Sequence, residues 1–237
     1  MGDIINVKHS ANSGDVIYTQ WTCKRIWELT GKKVRYHQWI GRPGIYYDGA
    51  VHPVKDDEGT MVTMNMKMFE MLKPLMESLP WIDSFVQYTG KEDIQIDLDT
   101  IRDRNVNMPY GDIRKWYGYV FADVQIDIAE KIFSMSSSPL DYYKTFSHGT
   151  PGPLKKIIIN RTERYRNEQI DYGFLSKYSK EGEPIYFAGT KDEFNEMAQW
   201  VEGLEYLQVS NFYQLAWEIS ICRDFIVTGK QIGRAHV

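Results

Sequence analysis

Three stretches of this chain carry side chains that could do chemistry. The first, Ser10-Ala11-Asn12-Ser13-Gly14-Asp15, is a run of small residues ending on a carboxylate. Small residues let a ligand or another backbone come close. Asp15 falls where a helix begins, beside N–H groups without intrahelical partners, so it either caps that helix or faces a ligand. The second stretch, Asn160-Arg161-Thr162-Glu163-Arg164-Tyr165-Arg166, is a basic turn. It is either solvated or able to neutralise an anionic group. The third is Asp97-Leu98-Asp99, whose carboxylates would share one face of a strand. Further ligands do not cluster with that pair, and His9, His37, His52 and His148 lack zinc-ligand spacing, so no metal is expected. The chain has no Walker-type loop and no G-x-G-x-x-G after a strand.

These stretches need elements to hold them. Ile4, Ile5 and Val7 read as a buried strand leading into the small-residue turn. Residues 16–30 follow as a helix, with Ile17, Trp21, Ile26 and Leu29 on its apolar face and Gly31 ending it. Residues 34–39 alternate as a strand, and 41–59 hold Gly, Pro and Asp at short intervals, as a loop or hairpin does. Residues 64–78 form a helix with a Met-rich core stripe, stopped by Pro80, and strands are expected over 85–88 and 94–98. Residues 105–119, rich in Tyr, Trp and Arg, read as a surface segment. Ser, Pro and Gly then mark residues 134–153 as the clearest linker. Beyond it the alternation restarts: strands over 155–160, 184–188, 204–209 and 224–228, helices over 191–201 and 211–222. Thr190 is placed to cap the first of those helices. Such alternation predicts an α/β fold with mostly parallel sheets and right-handed crossovers. Ligands in such sheets bind beyond the carboxyl ends of the strands.

Composition narrows the function classes. The 237 residues suffice for two modest domains or one large one. A net charge of −4 gives no electrostatic reason to expect nucleic acid or an anionic membrane as partner. Cys23 and Cys222 are the only cysteines, which fits a reduced, cytoplasmic setting and no disulfide framework. No apolar run approaches a membrane span, and Met1-Gly2-Asp3 leads straight into the first strand, so no transmembrane segment or signal peptide is expected. At the other end, Ile232-Gly233-Arg234-Ala235-His236-Val237 reads as a translated sequencing adapter. On that reading the natural chain continues past Gln231 and the second half is incomplete.

Several segments together resemble one family. Ser10-Ala11-Asn12-Ser13-Gly14-Asp15-Val16 resembles the S-A-x-G-D-V/I start of the heptosyltransferase-like glycosyltransferases (family 9 type), with one more residue between Ala and Gly. The segment Leu72 to Ile82 is similar to the one before that family's next strand, and Ile94 to Asp99 to its D-x-D-L-D strand end. Phe187-Ala188-Gly189-Thr190 is similar to its F-x-G-T/S turn, and Phe225 to Gln231 resembles its strand and turn before the donor-facing helix. The resemblance is scattered over most of the chain.

It implies two Rossmann-like domains of GT-B type, the second incomplete. Residues 1–140 would form the acceptor side, 141–153 the linker, 154–231 the truncated nucleotide-sugar domain, and 232–237 the adapter. It implies metal-independent transfer from a nucleotide-sugar donor to a carbohydrate acceptor, with no cofactor. Asp15 would be the general base, taking the proton of the acceptor hydroxyl. Ser10, Asn12, Ser13 and Gly14 would form the acceptor-side loop. Arg161 and Arg164, with Arg166 third, would neutralise the departing diphosphate. Gly189 and Thr190 would approach the nucleotide, and Gly229 would precede a helix N-terminus at the donor. The truncated chain is then expected to bind nucleotide-sugars weakly and to transfer nothing. Two alternatives stay open: a non-catalytic carbohydrate- or nucleotide-binding module on this scaffold, and an enzyme of another class such as a nucleotide-sugar epimerase.

Overall fold

The computed structural model describes residues 4–44, 54–103, 116–121, 154–161 and 170–227. Arg164, Arg166, Gly229, the linker at 141–153 and the tail at 232–237 lie outside the described residues, as do positions 105–115 of the surface segment. The chain groups into two units: Met1–Tyr142 with Asn211–Tyr213, and Tyr143–Ser210 with Gln214–Val237.

In the first unit, β1 (Ile4–His9), β2 (Lys33–Gln38), β3 (Ile82–Gln87) and β4 (Ile96–Asp97) form a parallel sheet in the order β3-β2-β1-β4. Val7 pairs with Tyr36 on one side and Ile96 on the other, and both Val7 and Tyr36 are fully buried. Helix α1 (Ser13–Thr30) links β1 to β2, and α2 (Met66–Glu77) precedes β3. Gly31 closes α1 with φ 70°, its N–H donating to the Trp27 carbonyl, a left-handed position that favours glycine. The buried side of α1 matches the expected apolar face in part. Trp21 and Ile26 are buried as expected, Ile17 is half-buried and Leu29 exposed, and Val16, Thr19, Gln20, Thr22 and Cys23 are buried as well. Thr19 and Gln20 are tolerated inside because they are hydrogen-bonded. Thr19 Oγ1 donates to the Val16 carbonyl at 2.7 Å, and Gln20 Oε1 accepts from Trp81 Nε1 at 3.1 Å. Asn65 caps α2 by accepting from Met68 N–H, and Phe69 on that helix stacks on Phe85 of β3. The expected hairpin is present in part, as antiparallel bridges Pro43↔Val62 and Lys55↔Met61.

The second unit repeats the plan. Strands β5 (Leu154–Asn160), β6 (Ile185–Phe187), β7 (Leu204–Tyr206) and β8 (Cys222–Val227) are parallel in the order β7-β6-β5-β8. Helices α3 (Ser176–Lys180), α4 (Lys191–Met197) and α5 (Phe212–Ile221) lie between them in sequence. The run Ile157-Ile158-Ile159 is buried throughout, as a central parallel strand covered on both faces must be. Ile157 and Ile159 join Tyr172, Phe187 and Met197 on one face, and Ile158 joins Leu207 with Leu215 and Ile219 on the other. On β8, Phe225 and Val227 are exposed.

Counted afresh within each unit, both sheets run 3-2-1-4. That is the beginning of the 3-2-1-4-5-6 order of a doubly wound Rossmann sheet, and it reverses between the first and fourth strands. The switch points are therefore the carboxyl ends of β1 and β4, and of β5 and β8.

Candidate functional site

At the switch point of the first unit, β1 ends in Lys8 and His9 and continues to Ser10, while β4 ends at Asp97. Lys8 Nζ donates to Asp97 Oδ2 at 2.7 Å and lies 3.4 Å from Asp99 Oδ2. Asp99 does not share a strand face with Asp97, contrary to the expected strand over 94–98. The strand stops at Asp97 because the chain turns into a 3-10 helix, Leu98–Asp103, and the Asp99 N–H donates to Asp97 Oδ1 at 3.0 Å. That turn swings Asp99 toward β1. Its Oδ1 accepts from the Ser10 hydroxyl at 2.7 Å and the Ser10 N–H at 3.1 Å. Arg42 Nη1 donates to Ser10 Oγ and sits 3.5 Å from Asp99 Oδ2.

The electrostatics follow from these contacts. Burial works to raise the Asp99 carboxyl, but the Ser10 hydroxyl, His9, Lys8 and the Ser10 N–H outweigh it and hold the group below its ordinary range. Burial works to lower Lys8, but the hydrogen bond and charge of Asp97, together with Asp99, keep the ammonium above its ordinary range. Both groups are therefore charged at neutral pH. Behind them is a buried chain of polar contacts. Thr19 Oγ1 meets the Tyr36 hydroxyl at 3.0 Å, and that hydroxyl meets His9 Nδ1 at 3.0 Å. Gln38 Nε2 donates to the Ala11 carbonyl at 3.1 Å and so ties the turn after β1 to the end of β2.

The predicted acceptor-side loop lies along this edge. Ser10 is buried within the ion cluster. Asn12 is the N-cap of α1, with β-region dihedrals, followed by Ser13 and the exposed Gly14. Asp15 is the third residue of α1, half-buried in its first turn. The N-cap position belongs to Asn12, which places Asp15 at N3, where a carboxylate can accept from the N-cap N–H as in a capping box. Its negative charge also suits the positive end of the helix.

In the second unit, Arg161 directly follows β5 and is 3% exposed, so it is not part of a solvated turn. Its guanidinium stands over Trp200 at 4.8 Å and Tyr172 at 5.6 Å, and pairs with Glu196 at 3.3 Å. Its Nε is buried with no hydrogen-bond partner among the described residues. Thr190 caps α4 in a capping box: its Oγ1 accepts from the Glu193 N–H, and the Glu193 carboxylate accepts from the Thr190 N–H at 2.9 Å. Gly189 is required by space, since a Cβ there would lie 2.6 Å from Phe187 Cε1.

No family model and no curated protein matches this chain. Among solved structures, a glycosyl transferase family 9 protein from Veillonella parvula is similar at 12% identity, with TM-score 0.44, over 95% of this chain and 74% of its own. The E. coli heptosyltransferase WaaC, solved with ADP-2-deoxy-2-fluoro heptose, is similar at 7% identity, with TM-score 0.48, over 94% of this chain and 82% of its own. The fold itself rests on the two parallel sheets and their strand order.

Lys8, Arg42 and Asp99 are absent from the expected site residues, as are Trp39 and Tyr88 just beyond β2 and β3. Asp97 and Asp99 alone stand out in the sequence, as a carboxylate pair at a strand end with no further ligands clustered beside it. Among the described residues no group of three His, Cys, Asp or Glu side chains is placed to hold a metal ion. No helix among them is long and apolar enough to cross a membrane.

Proposed function

We propose that the protein transfers a sugar from a nucleotide-sugar to a carbohydrate acceptor, without a metal ion and in the cytoplasm. The first unit takes the acceptor and the second the donor. The observation that carries this reading is the repeated 3-2-1-4 strand order, with a carboxylate in the first turn of the helix that follows β1. The two free cysteines support the reduced compartment. In the reaction, the Asp15 carboxylate accepts the proton of an acceptor hydroxyl as its oxygen bonds to the anomeric carbon. The bond from that carbon to the phosphate oxygen breaks, and the nucleoside diphosphate leaves with the electron pair. Arg161 and Arg164 neutralise the leaving charge, and the turn at Gly189 and Thr190, with Gly229, lines the nucleotide.

The test compares wild type with Asp15→Asn, using the 237-residue chain and any longer product of its gene. Transfer is assayed from a panel of nucleotide-sugars to simple glycosides, and nucleotide binding by calorimetry. An amide cannot take the proton, so transfer should fall by about 10²- to 10⁴-fold with nucleotide binding unchanged. Near-wild-type turnover in the variant would remove Asp15 from the chemistry. A second reading, a binding module without transfer, is favoured by one observation: Arg161 and Thr190 already have partners within their own unit. Nucleotide binding with no transfer to any acceptor would select it.

A further inference from the structure

Trp39 and Tyr88 are the residues that immediately follow β2 and β3. The Tyr88 N–H donates to the Gln38 carbonyl at 2.8 Å, which holds the two side by side. Their rings are 6.1 Å apart, and Trp39 is 40% exposed. A tryptophan left this open at the carboxyl edge of a parallel sheet is not there to fill the core. Charged groups surround it. Lys8 Nζ stands over the Trp39 ring at 5.7 Å from its centroid and over the Tyr88 ring at 5.5 Å, and the Arg42 guanidinium stands over the Trp39 ring at 5.5 Å. Asp97, whose side chain is 36% exposed, bonds to the same Lys8.

From this juxtaposition we infer that Trp39 and Tyr88, with Asp97 and Arg42 beside them, form a subsite for the ring of an uncharged sugar, which stacks on the aromatic surface that the cations leave open. A pyranose has a face of C–H groups and an edge of hydroxyls. The C–H face suits the electron-rich face of an aromatic ring. The hydroxyl edge needs acceptors and donors in fixed places. Asp97 supplies acceptors: a carboxylate has about four acceptor sites, and one on each oxygen is taken, by Lys8 and by the Asp99 N–H. Arg42 supplies donors, since Ser10 uses one N–H of a guanidinium that carries about five.

The charge balance chooses the class of sugar. Lys8 and Arg42 are matched by Asp97 and Asp99 within the cluster. Among the described residues the subsite therefore has no net charge with which to hold a phosphate or uronate. As the acceptor's place in transfer, the subsite depends on the function proposed above; as a sugar-binding surface it does not.

The test is binding of methyl glucoside, methyl mannoside, methyl N-acetylglucosaminide and glucuronate to the whole chain, without donor. Saturation-transfer NMR reads the sugar, and the Trp39 indole N–H signal reads the protein. At least one neutral glycoside should shift that signal saturably and receive saturation at its ring protons. Trp39→Ala should weaken its binding about tenfold, the effect of losing one aromatic contact. Trp39→Phe should retain most of the affinity, which separates loss of the ring from loss of folding. Asp97→Asn should also weaken it. If no neutral glycoside binds, if Trp39→Ala binds as well as wild type, or if glucuronate alone binds, the inference is wrong. Sugar binding in a protein that transfers nothing would uphold the subsite and overturn the transferase reading.

Discussion

Asp99 is the residue on which the first switch point depends. It holds Ser10 by two hydrogen bonds and lies within ion-pair distance of Lys8 and Arg42. Asp99→Asn keeps an oxygen for Ser10 but leaves two largely buried cations without that charge. The expected loss at neutral pH is about 1–3 kcal/mol. Its pH dependence follows from the direction of the carboxyl's shift. The folded value is below the unfolded one, so the stabilisation is present above roughly pH 4 and is lost as pH falls through the folded value. His37 acts at a higher window. Burial, helped by Arg35 and opposed by Glu92, holds it below its ordinary 6.5, so its contribution is lost as pH falls below that value. Urea unfolding from pH 8 to pH 3 should show two descents, with His37→Gln flattening the upper and Asp99→Asn the lower. A lower descent identical in wild type and Asp99→Asn would show that other carboxylates govern it. The sequence made the Asp15 loop legible because small residues before a helix are a local signal. It did not reveal the ion cluster, because Lys8, Arg42 and Asp99 come from separate segments and meet only when β1 and β4 pair.

At the scale of elements, the turn from β6 into α4 is where the capping and nucleotide roles of Thr190 can be separated. Thr190→Ala removes an N-cap and should cost about 1 kcal/mol, while Thr190→Ser should cost little. Gly189→Ala should cost about 1–3 kcal/mol, because its Cβ would press on the buried Phe187 ring and on Glu193. Thermal unfolding of the three variants checks the ranking. If Thr190→Ala leaves stability unchanged but weakens nucleotide binding, the hydroxyl serves the ligand rather than the helix. Most elements were legible for the same local reasons: Thr190 before 191–197, Gly31 after α1, and the Ile157-Ile158-Ile159 run. Two elements were misread in part, where tertiary contacts override pattern. The core side of α1 includes Thr19 and Gln20, which count as polar until Tyr36 and Trp81 supply their partners. β4 has two residues because Asp97 and Asp99 turn the chain, although Ile94 to Leu98 alternates like a longer strand.

The molecule as a whole is one topology used twice, each copy with its own sheet and core. Two separate cores imply two cooperative transitions, and the cysteines report them independently. Cys23 lies on α1 in the first unit, and Cys222 begins β8 in the second. Burial raises both thiols, Cys23 far above the range in which it ionises at neutral pH. In the folded protein Cys23 should resist a thiol reagent, and Cys222, half-buried, should react slowly. The second unit is the shorter, and shorter domains bury a smaller fraction of their surface and have less stability in reserve. Its edge strand also leaves Phe225 and Val227 exposed. Across a urea series, site-resolved mass spectrometry of pulse-labelled protein should therefore show Cys222 modified at lower urea than Cys23. A nucleoside diphosphate that binds the second unit should move the Cys222 curve to higher urea and leave the Cys23 curve in place, since a ligand stabilises only the transition of the unit that holds it. Coincident curves that move together would show that the two copies unfold as one body, and the division of donor and acceptor between them could not be tested one unit at a time.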